Sequence, residues 1–369
     1  MRPSLLGIST FALVAGLTSN AFAETTSAPT AGTDQTAAPS LAEVVVTAQR
    51  RSENLQAVPV TISAMSAQQL ASAGVSNIQG LGLVTPGLVF QQDAGFLLPH
   101  LRGIGTPAIG PGLENSVALY VDGVYYATSS ASNLNLNDIS QTEVLKGPQG
   151  TLFGRNATGG LIQVLTKDPS FSPFATLSAT YANYDTSTLD AYGTTKITDD
   201  LAGALSLHVS HQGEGWGRNV ETGEDVYKDD FDLTARSKLL WKPFEGTTVR
   251  LNFDYEQDNN SDGVIGAAPG FVRALYGTAP TQTGYNVDEN VQPEMRLQAG
   301  GVSVRVDQSL GSLTLVDITA YRQSSYYSAV DPDLGPAAYI GSFGQSIDKQ
   351  VSEELQLISK GAGPFQWST

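Results

Sequence analysis

The sequence contains no cysteine, few charged residues and no excess of positive charge. Because none of the 369 residues is Cys, the chain has no disulfide framework, no thiolate metal site and no cysteine nucleophile. Charged residues make up 15% of the sequence, and the formal net charge is -16. A strongly negative chain repels polyanions, so we expect no nucleic-acid partner.

Long hydrophobic runs are missing after the first residues. The N-terminus carries Arg2, an apolar run from Leu5 to Leu17 and the small-residue pattern Ala21-Phe22-Ala23 before Glu24, which is typical of a secretory signal peptide. That run is shorter than the roughly 20 residues of a membrane-spanning helix. We predict a signal peptide over residues 1–23, and any membrane crossing must then use β-strands.

A β-prone segment follows a polar linker. Residues 24–40 are mostly Ala, Thr, Ser and Pro, and this composition predicts a flexible linker. In residues 41–49 the positions Val44 to Thr47 are all β-branched, which favours an extended strand, yet no earlier strand is available as a partner. Such a strand is a template for strand addition by another protein. The alternative, in which it forms the first strand of the next domain, stays open.

Residues 50–168 predict a compact α+β domain. Ser66 and Gln69 form a potential capping box, and Asp122-Gly123 predicts a tight hairpin turn. The Gly-rich stretch 146–160 is no phosphate-binding loop, because no Lys-Ser/Thr pair follows its glycines. No G-x-S-x-G motif or usable histidine set is present, so we expect no enzyme activity, no cofactor and no metal site.

From residue 174 onward the sequence alternates between apolar and polar residues. About eight such runs of about 10 residues each match the length of a tilted membrane strand. Their connections alternate between short turns (TDD, KPFEG and LGS) and long loops (211–229, 258–299 and 323–347). This asymmetry predicts an outer-membrane β-barrel, with a soluble β-sandwich as the alternative.

Several motifs in this order resemble the TonB-dependent outer-membrane receptors: EVVVTAQRR, LRGIGT, YVDGVYYA and EVLKGPQGTLFGRNATGGLIQVLTK, followed by amphipathic strands. The resemblance implies an α+β plug domain (50–168) followed by antiparallel transmembrane β-strands, with residues 174–369 forming an incomplete portion of a 22-stranded plugged barrel in the outer-membrane lipid. It also implies that residues 41–49 contain the TonB box, which the periplasmic protein TonB pulls. The expected TonB-binding residues are Glu43, Val44, Val45, Val46, Thr47 and Ala48.

The resemblance also suggests contact residues and cargo. Arg102, Lys146 and Arg155 are expected to pair with inward Asp and Glu of the barrel wall, and Phe96 and His100 are candidates for substrate contact. A ferric siderophore is the expected ligand, as the commonest cargo of the family; haem, cobalamin and carbohydrate are alternatives, as is a passive porin. A signal transducer would need a further folded domain before the box, for which residues 24–40 are too few and too polar.

The strand count conflicts with a complete barrel. A plug of about 120 residues has a diameter of more than about 30 Å. An eight-stranded barrel has room only for its own side chains, whereas plugged barrels have about 22 strands. We therefore predict an incomplete receptor, in which an open sheet lies beside the plug.

Overall fold

The computed structural model describes residues 45–47, 50–51, 53–93, 96–106, 113–127, 134–265, 284–360 and 365–369. The predicted signal peptide and linker (1–40) lie outside these residues. Residues 43–369 form one compact unit, which contains a small α+β domain and a large antiparallel sheet. No helix in the described ranges is both long and apolar enough to span a bilayer.

The α+β domain contains nine short strands and three short helices. They are β1 (Val45–Val46), β2 (Glu53–Asn54), β3 (Thr61–Ser66), α1 (Ala67–Ser72), α2 (Leu81–Val84), β4 (Leu88–Asp93), β5 (Phe96–Leu101), β6 (Val117–Val121), β7 (Val124–Tyr126), β8 (Ile139–Lys146), α3 (Gly150–Phe153) and β9 (Gly160–Thr166). Strands β3, β8, β9, β6 and β7 form the central sheet in that order, and only the β6–β9 pair is parallel.

Two local sequence signals determine local structure in this domain. Ser66 caps α1, and the reciprocal hydrogen bonds with Gln69 complete the predicted capping box. Asp122 and Gly123 both have positive φ angles (49° and 87°) and join β6 to β7 as the predicted hairpin. Both features form because short-range backbone chemistry is sufficient to specify them.

The second part is an antiparallel meander of eight strands, which we call the wall. Its strands are β10 (Phe174–Ala182), β11 (Thr186–Lys196), β12 (Leu201–Gln212), β15 (Phe231–Trp241), β16 (Thr247–Asn260), β17 (Glu294–Leu310), β18 (Leu313–Val330) and β19 (Ser342–Ser359). A hairpin of β13 (Gly217–Arg218) and β14 (Asp225–Val226) lies in the loop after β12. In the described residues β10 and β19 are the two ends of the sheet order, so the sheet is open as expected.

The last three strands are longer than predicted. Strands β17, β18 and β19 have 17, 18 and 18 residues. They take up the end of the stretch predicted as the loop 258–299 and both ends of the stretch predicted as the loop 323–347. The polar residues in those stretches stay paired in the sheet, beyond the part of each strand in which apolar and polar residues alternate. A strand can extend past the lipid because water then solvates its side chains, and the hydrophobic pattern alone does not mark that extension.

The two faces of the wall differ as the alternation predicts. On β15, Thr234 and Lys238 are buried (3% and 7% exposed), whereas Trp241 on the opposite face is 45% exposed. The larger apolar core cluster of the α+β domain includes Val316 and Ile318 of β18. One face of the wall therefore packs on the α+β domain, and the other face presents apolar side chains outward.

The alternating connection lengths predict that the two ends of the wall lie on opposite sides of a membrane. Since the chain has no native cysteine, a single Cys gives a unique label. We expect Glu221→Cys, in the long loop after β12, to react with a membrane-impermeant maleimide on intact cells. Glu245→Cys, in the short turn between β15 and β16, should react only after the outer membrane is permeabilised. The opposite labelling pattern would refute this orientation.

Candidate functional site

The predicted TonB box lies against the α+β domain in the described residues. Val45 and Val46 pair antiparallel with Asn54 and Glu53, a ladder of only two residues. Val46 is fully buried in an apolar cluster, while Val45 is 45% exposed. The other three residues predicted for TonB binding, Glu43, Val44 and Ala48, lie outside the described residues.

The carboxylate of Glu143 on β8 holds the end of this segment. The Thr47 N–H donates to its two oxygens at 2.9 and 3.1 Å, and the Thr47 hydroxyl donates at 3.2 Å. Gln141 contacts both Glu143 and the segment: its Nε2 donates to Glu143 at 2.8 Å and to the Val45 carbonyl at 3.0 Å. Burial raises the pKa of Glu143, and the hydrogen bonds from Thr47 and Gln141 offset only part of that effect. Side chains, rather than a long ladder, therefore hold this segment in place.

Arg50 links the same segment to the wall. Its guanidinium lies 2.9 Å from the Glu354 carboxylate on β19 and stacks over the Phe153 ring, with 4.2 Å between Cζ and the ring centroid. Burial lowers the pKa of Arg50, and the charge of Glu354 opposes that change. A movement of the segment therefore disturbs a contact with the wall that lies three residues beyond Thr47 in the sequence.

Further ion pairs join the α+β domain and its exit segment to the wall. Asp138 pairs with Arg236 at 2.6 Å, and Asp122 pairs with Lys238 at 3.0 Å. Asp168, just after β9, pairs with Arg250 at 2.9 Å. Burial alone would raise the pKa of Asp122, but the Lys238 charge and hydrogen bonds from Thr166 lower it below its usual value. In these pairs the domain supplies the acids and the wall supplies the bases, which is the reverse of the expected polarity, whereas the Arg50–Glu354 pair has the expected polarity.

The three cations predicted for this interface have neighbours in the α+β domain. Arg155 pairs with Glu114 at 3.0 Å, and the Lys146 ammonium donates to the Pro86 carbonyl at 3.0 Å. For Arg102 the contact is through the main chain, whose N–H donates to the Gly87 carbonyl at 2.7 Å. Their contact with a barrel therefore stays a prediction. The alternation identified the inward wall residues, but it carried no information about which charges they meet.

Sequence reasoning also missed Glu143 as a contact for the N-terminal segment. The available signal was an acidic residue within the apolar run of β8, where an unpaired carboxylate is costly. Its partner Thr47 is 96 residues away in the sequence, so no local pattern pairs the two.

The two candidate substrate residues lie on β5. Phe96 packs against Tyr326 of β18, with the ring centroids 4.3 Å apart. The Nδ1 atom of His100 lies 3.1 Å from the Leu98 carbonyl, and its ring fills the space where a Cβ on Gly105 would sit. Phe96 therefore reaches the wall, whereas His100 has local contacts. The role of both residues in substrate binding stays a prediction.

No group of three or more His, Cys, Asp or Glu side chains with the geometry of a metal site occurs within the described ranges. Residues 94–95 and 107–112, on either side of β5, and residues 266–283, in the long connection after β16, lie outside the described residues.

Comparisons with known proteins identify the family of the α+β domain. The family profile of the TonB-dependent Receptor Plug Domain matches residues 54–161. The pesticin receptor of Yersinia pestis is 33% identical over 146 residues, which are 39% of this chain and 22% of that protein. The ferrioxamine receptor of Yersinia enterocolitica is 26% identical over 213 residues, 57% of this chain and 28% of that protein.

Solved structures share the fold. The ferric yersiniabactin uptake receptor FyuA from Yersinia pestis superimposes with a TM-score of 0.69 at 23% identity, covering 82% of this chain and 46% of that chain. Residues 54–161 therefore match the plug domain of TonB-dependent receptors, and we call the α+β domain the plug. The chain as a whole shares the fold of the FyuA structure. It spans about a fifth to a half of the length of these relatives.

The buried Asp138–Arg236 pair provides a test of the plug–wall contact. We expect Asp138→Asn to lower the free energy of unfolding by about 3–5 kcal/mol, because it leaves the Arg236 charge buried without its partner. The double substitution Asp138→Asn/Arg236→Met should regain much of that loss. Asp199→Asn, in an exposed pair with Lys196, is the control and should change stability by less than about 0.5 kcal/mol. Urea unfolding in detergent micelles measures all three, and equal effects at both sites would contradict the assignment.

Proposed function

We propose that this chain forms part of an outer-membrane receptor that takes up a ferric siderophore, with energy supplied by TonB through Glu43 to Ala48. The support for the ligand comes from relatives that are named as receptors for ferrioxamine and for catecholate siderophores. The chain spans 28% and 22% of those two proteins, so their activity enters here as part of the proposal.

The short extended segment Val45–Thr47 carries the proposal for TonB. Its ladder with β2 has two residues, and the side chains of Glu143, Gln141 and Gln163 supply further hydrogen bonds. A partner strand can replace such main-chain hydrogen bonds nearly one for one. Extracting Val46 from its pocket costs about 1.5–3 kcal/mol, which a new ladder or an applied force must supply.

The positions of the two candidate sites along the wall agree with uptake across a membrane. Tyr326, which contacts Phe96, lies near the long-loop end of β18. Glu354, which holds Arg50, pairs with Ile318, eight residues back along β18. At about 3.3 Å per residue, Ile318 and Tyr326 are roughly 26 Å apart along β18. A ligand near Phe96 and TonB at the Val45–Thr47 segment would therefore act near opposite ends of the wall.

The substitution Val45→Pro tests the box. Proline removes a main-chain N–H and restricts φ, so strand addition should fail. We expect binding of the purified periplasmic domain of TonB to the chain to fall at least about tenfold, which corresponds to about 1.4 kcal/mol. In cells, energised uptake should stop while ligand binding at the surface stays intact.

Val45→Thr is the matched control, because it keeps the N–H and the β-branched shape and should bind TonB like the original chain. Full TonB binding by the Val45→Pro chain would overturn the assignment of the box. TonB binding that depends on Val45 together with failure to bind any ferric siderophore would instead overturn only the ligand.

A further inference from the structure

Three segments meet at one junction on the long-loop side of the wall. Asn219, after β13, is fully buried and donates through Nδ2 to the Glu289 carbonyl at 2.8 Å, while the Glu289 N–H donates to Asn219 Oδ1 at 3.1 Å. The next residue, Asn290, donates its N–H to Asp331 at 3.0 Å. Segment 287–290 is thus tied to the β13–β14 hairpin on one side and to the loop after β18 on the other.

Four buried carboxyl groups lie at this junction. They belong to Asp288 (2% exposed), Glu289 (0%), Asp331 (1%) and Asp333 (8%). Asp331 accepts N–H groups from Asn290, Asp333 and Leu334, and Asp333 Oδ2 accepts the Ile340 N–H at 2.8 Å. The main chain therefore satisfies part of the cluster.

The Glu289 side chain has no such partner. Both of its oxygens are buried without a hydrogen bond, and so is Oδ1 of Asp333. Burial, followed by the charges of Asp331, Asp288 and Asp333, raises the pKa of Glu289 to about 8. A buried carboxyl group without a partner costs several kcal/mol when ionised, so a proton or a cation must accompany it.

We propose that this junction is a calcium site in which Glu289 and Asp333 supply carboxylate ligands. Three unpartnered oxygens and no nitrogen or sulfur ligand suit a hard cation. Calcium accepts six to eight oxygens in flexible geometry, including main-chain carbonyls, which loops can provide. Magnesium usually keeps several of its waters, for which the fully buried Glu289 leaves little room.

Calcium would close the junction. Because no group of three or more acidic side chains in the described residues has the geometry of a metal site, main-chain carbonyls must supply the ligands besides Glu289 and Asp333. That closure would fasten three segments, 217–226, 284–293 and 331–340, into one surface at the long-loop end of the wall. The site is independent of the nature of the transported ligand and of TonB binding.

Terbium luminescence tests the proposal directly, because Tb³⁺ replaces Ca²⁺ and emits when a nearby aromatic ring is excited. Tyr227 is the ring that we expect to serve, because it directly follows β14, where the Asp225 carbonyl accepts a hydrogen bond from Gln292 Nε2 at 2.8 Å. We expect saturable emission from the 369-residue chain in detergent, with one Tb³⁺ bound per chain, and displacement by Ca²⁺. Glu289→Gln and Asp333→Asn should each weaken Tb³⁺ binding at least about tenfold, because ligand charge sets affinity in such sites.

The exposed Glu221→Gln in the same region is the control and should keep full emission. Near-ultraviolet circular dichroism confirms that each variant retains its tertiary packing, and the Asp333→Asn chain provides a second measurement if the Glu289→Gln chain does not fold. No saturable emission from the original chain would show that Glu289 holds a proton instead. Emission that survives both substitutions would also overturn the proposal.

Discussion

The charged contact between the plug and the inward face of the wall is the constraint on which the rest of the structure depends. Arg236 and Lys238 on β15 and Arg250 on β16 point inward because the alternate positions carry the apolar side chains that face outward. A buried charge is tolerated only when its partner is in place. The acids of the plug therefore complete the wall, and the bases of the wall hold the plug.

This arrangement differs from an apolar core in what happens when it is disturbed. Breaking one of these pairs without water leaves a buried charge, whereas entry of water solvates both partners. Once water has entered, separating the charged partners costs little free energy. Separating them without water is costly. A plug held in this way keeps one position at rest.

The N-terminal segment, Val45–Thr47, is likewise held by a buried charged side chain and its hydrogen-bond partners. Glu143 is buried and accepts hydrogen bonds from Thr47 and Gln141, so removal of the segment takes away the Thr47 donors and leaves only Gln141. Arg50 adds a tie to β19, which is 304 residues further along the chain. The segment is thus short enough to exchange partners, yet its departure affects both the plug sheet and the wall.

The sequence by itself determined the features that depend on near neighbours: the capping box at Ser66, the turn at Asp122-Gly123, and the inward and outward faces of β15 and β16. The motifs also indicated the family. Only the tertiary structure decided that Glu143 meets Thr47, that Arg50 meets Glu354, and that acids of the plug meet bases of the wall. Periodicity specifies which face a side chain occupies, because that follows from backbone geometry alone. Partners separated by about 100 to 300 residues follow instead from the packing of whole strands against the plug, which no local pattern encodes.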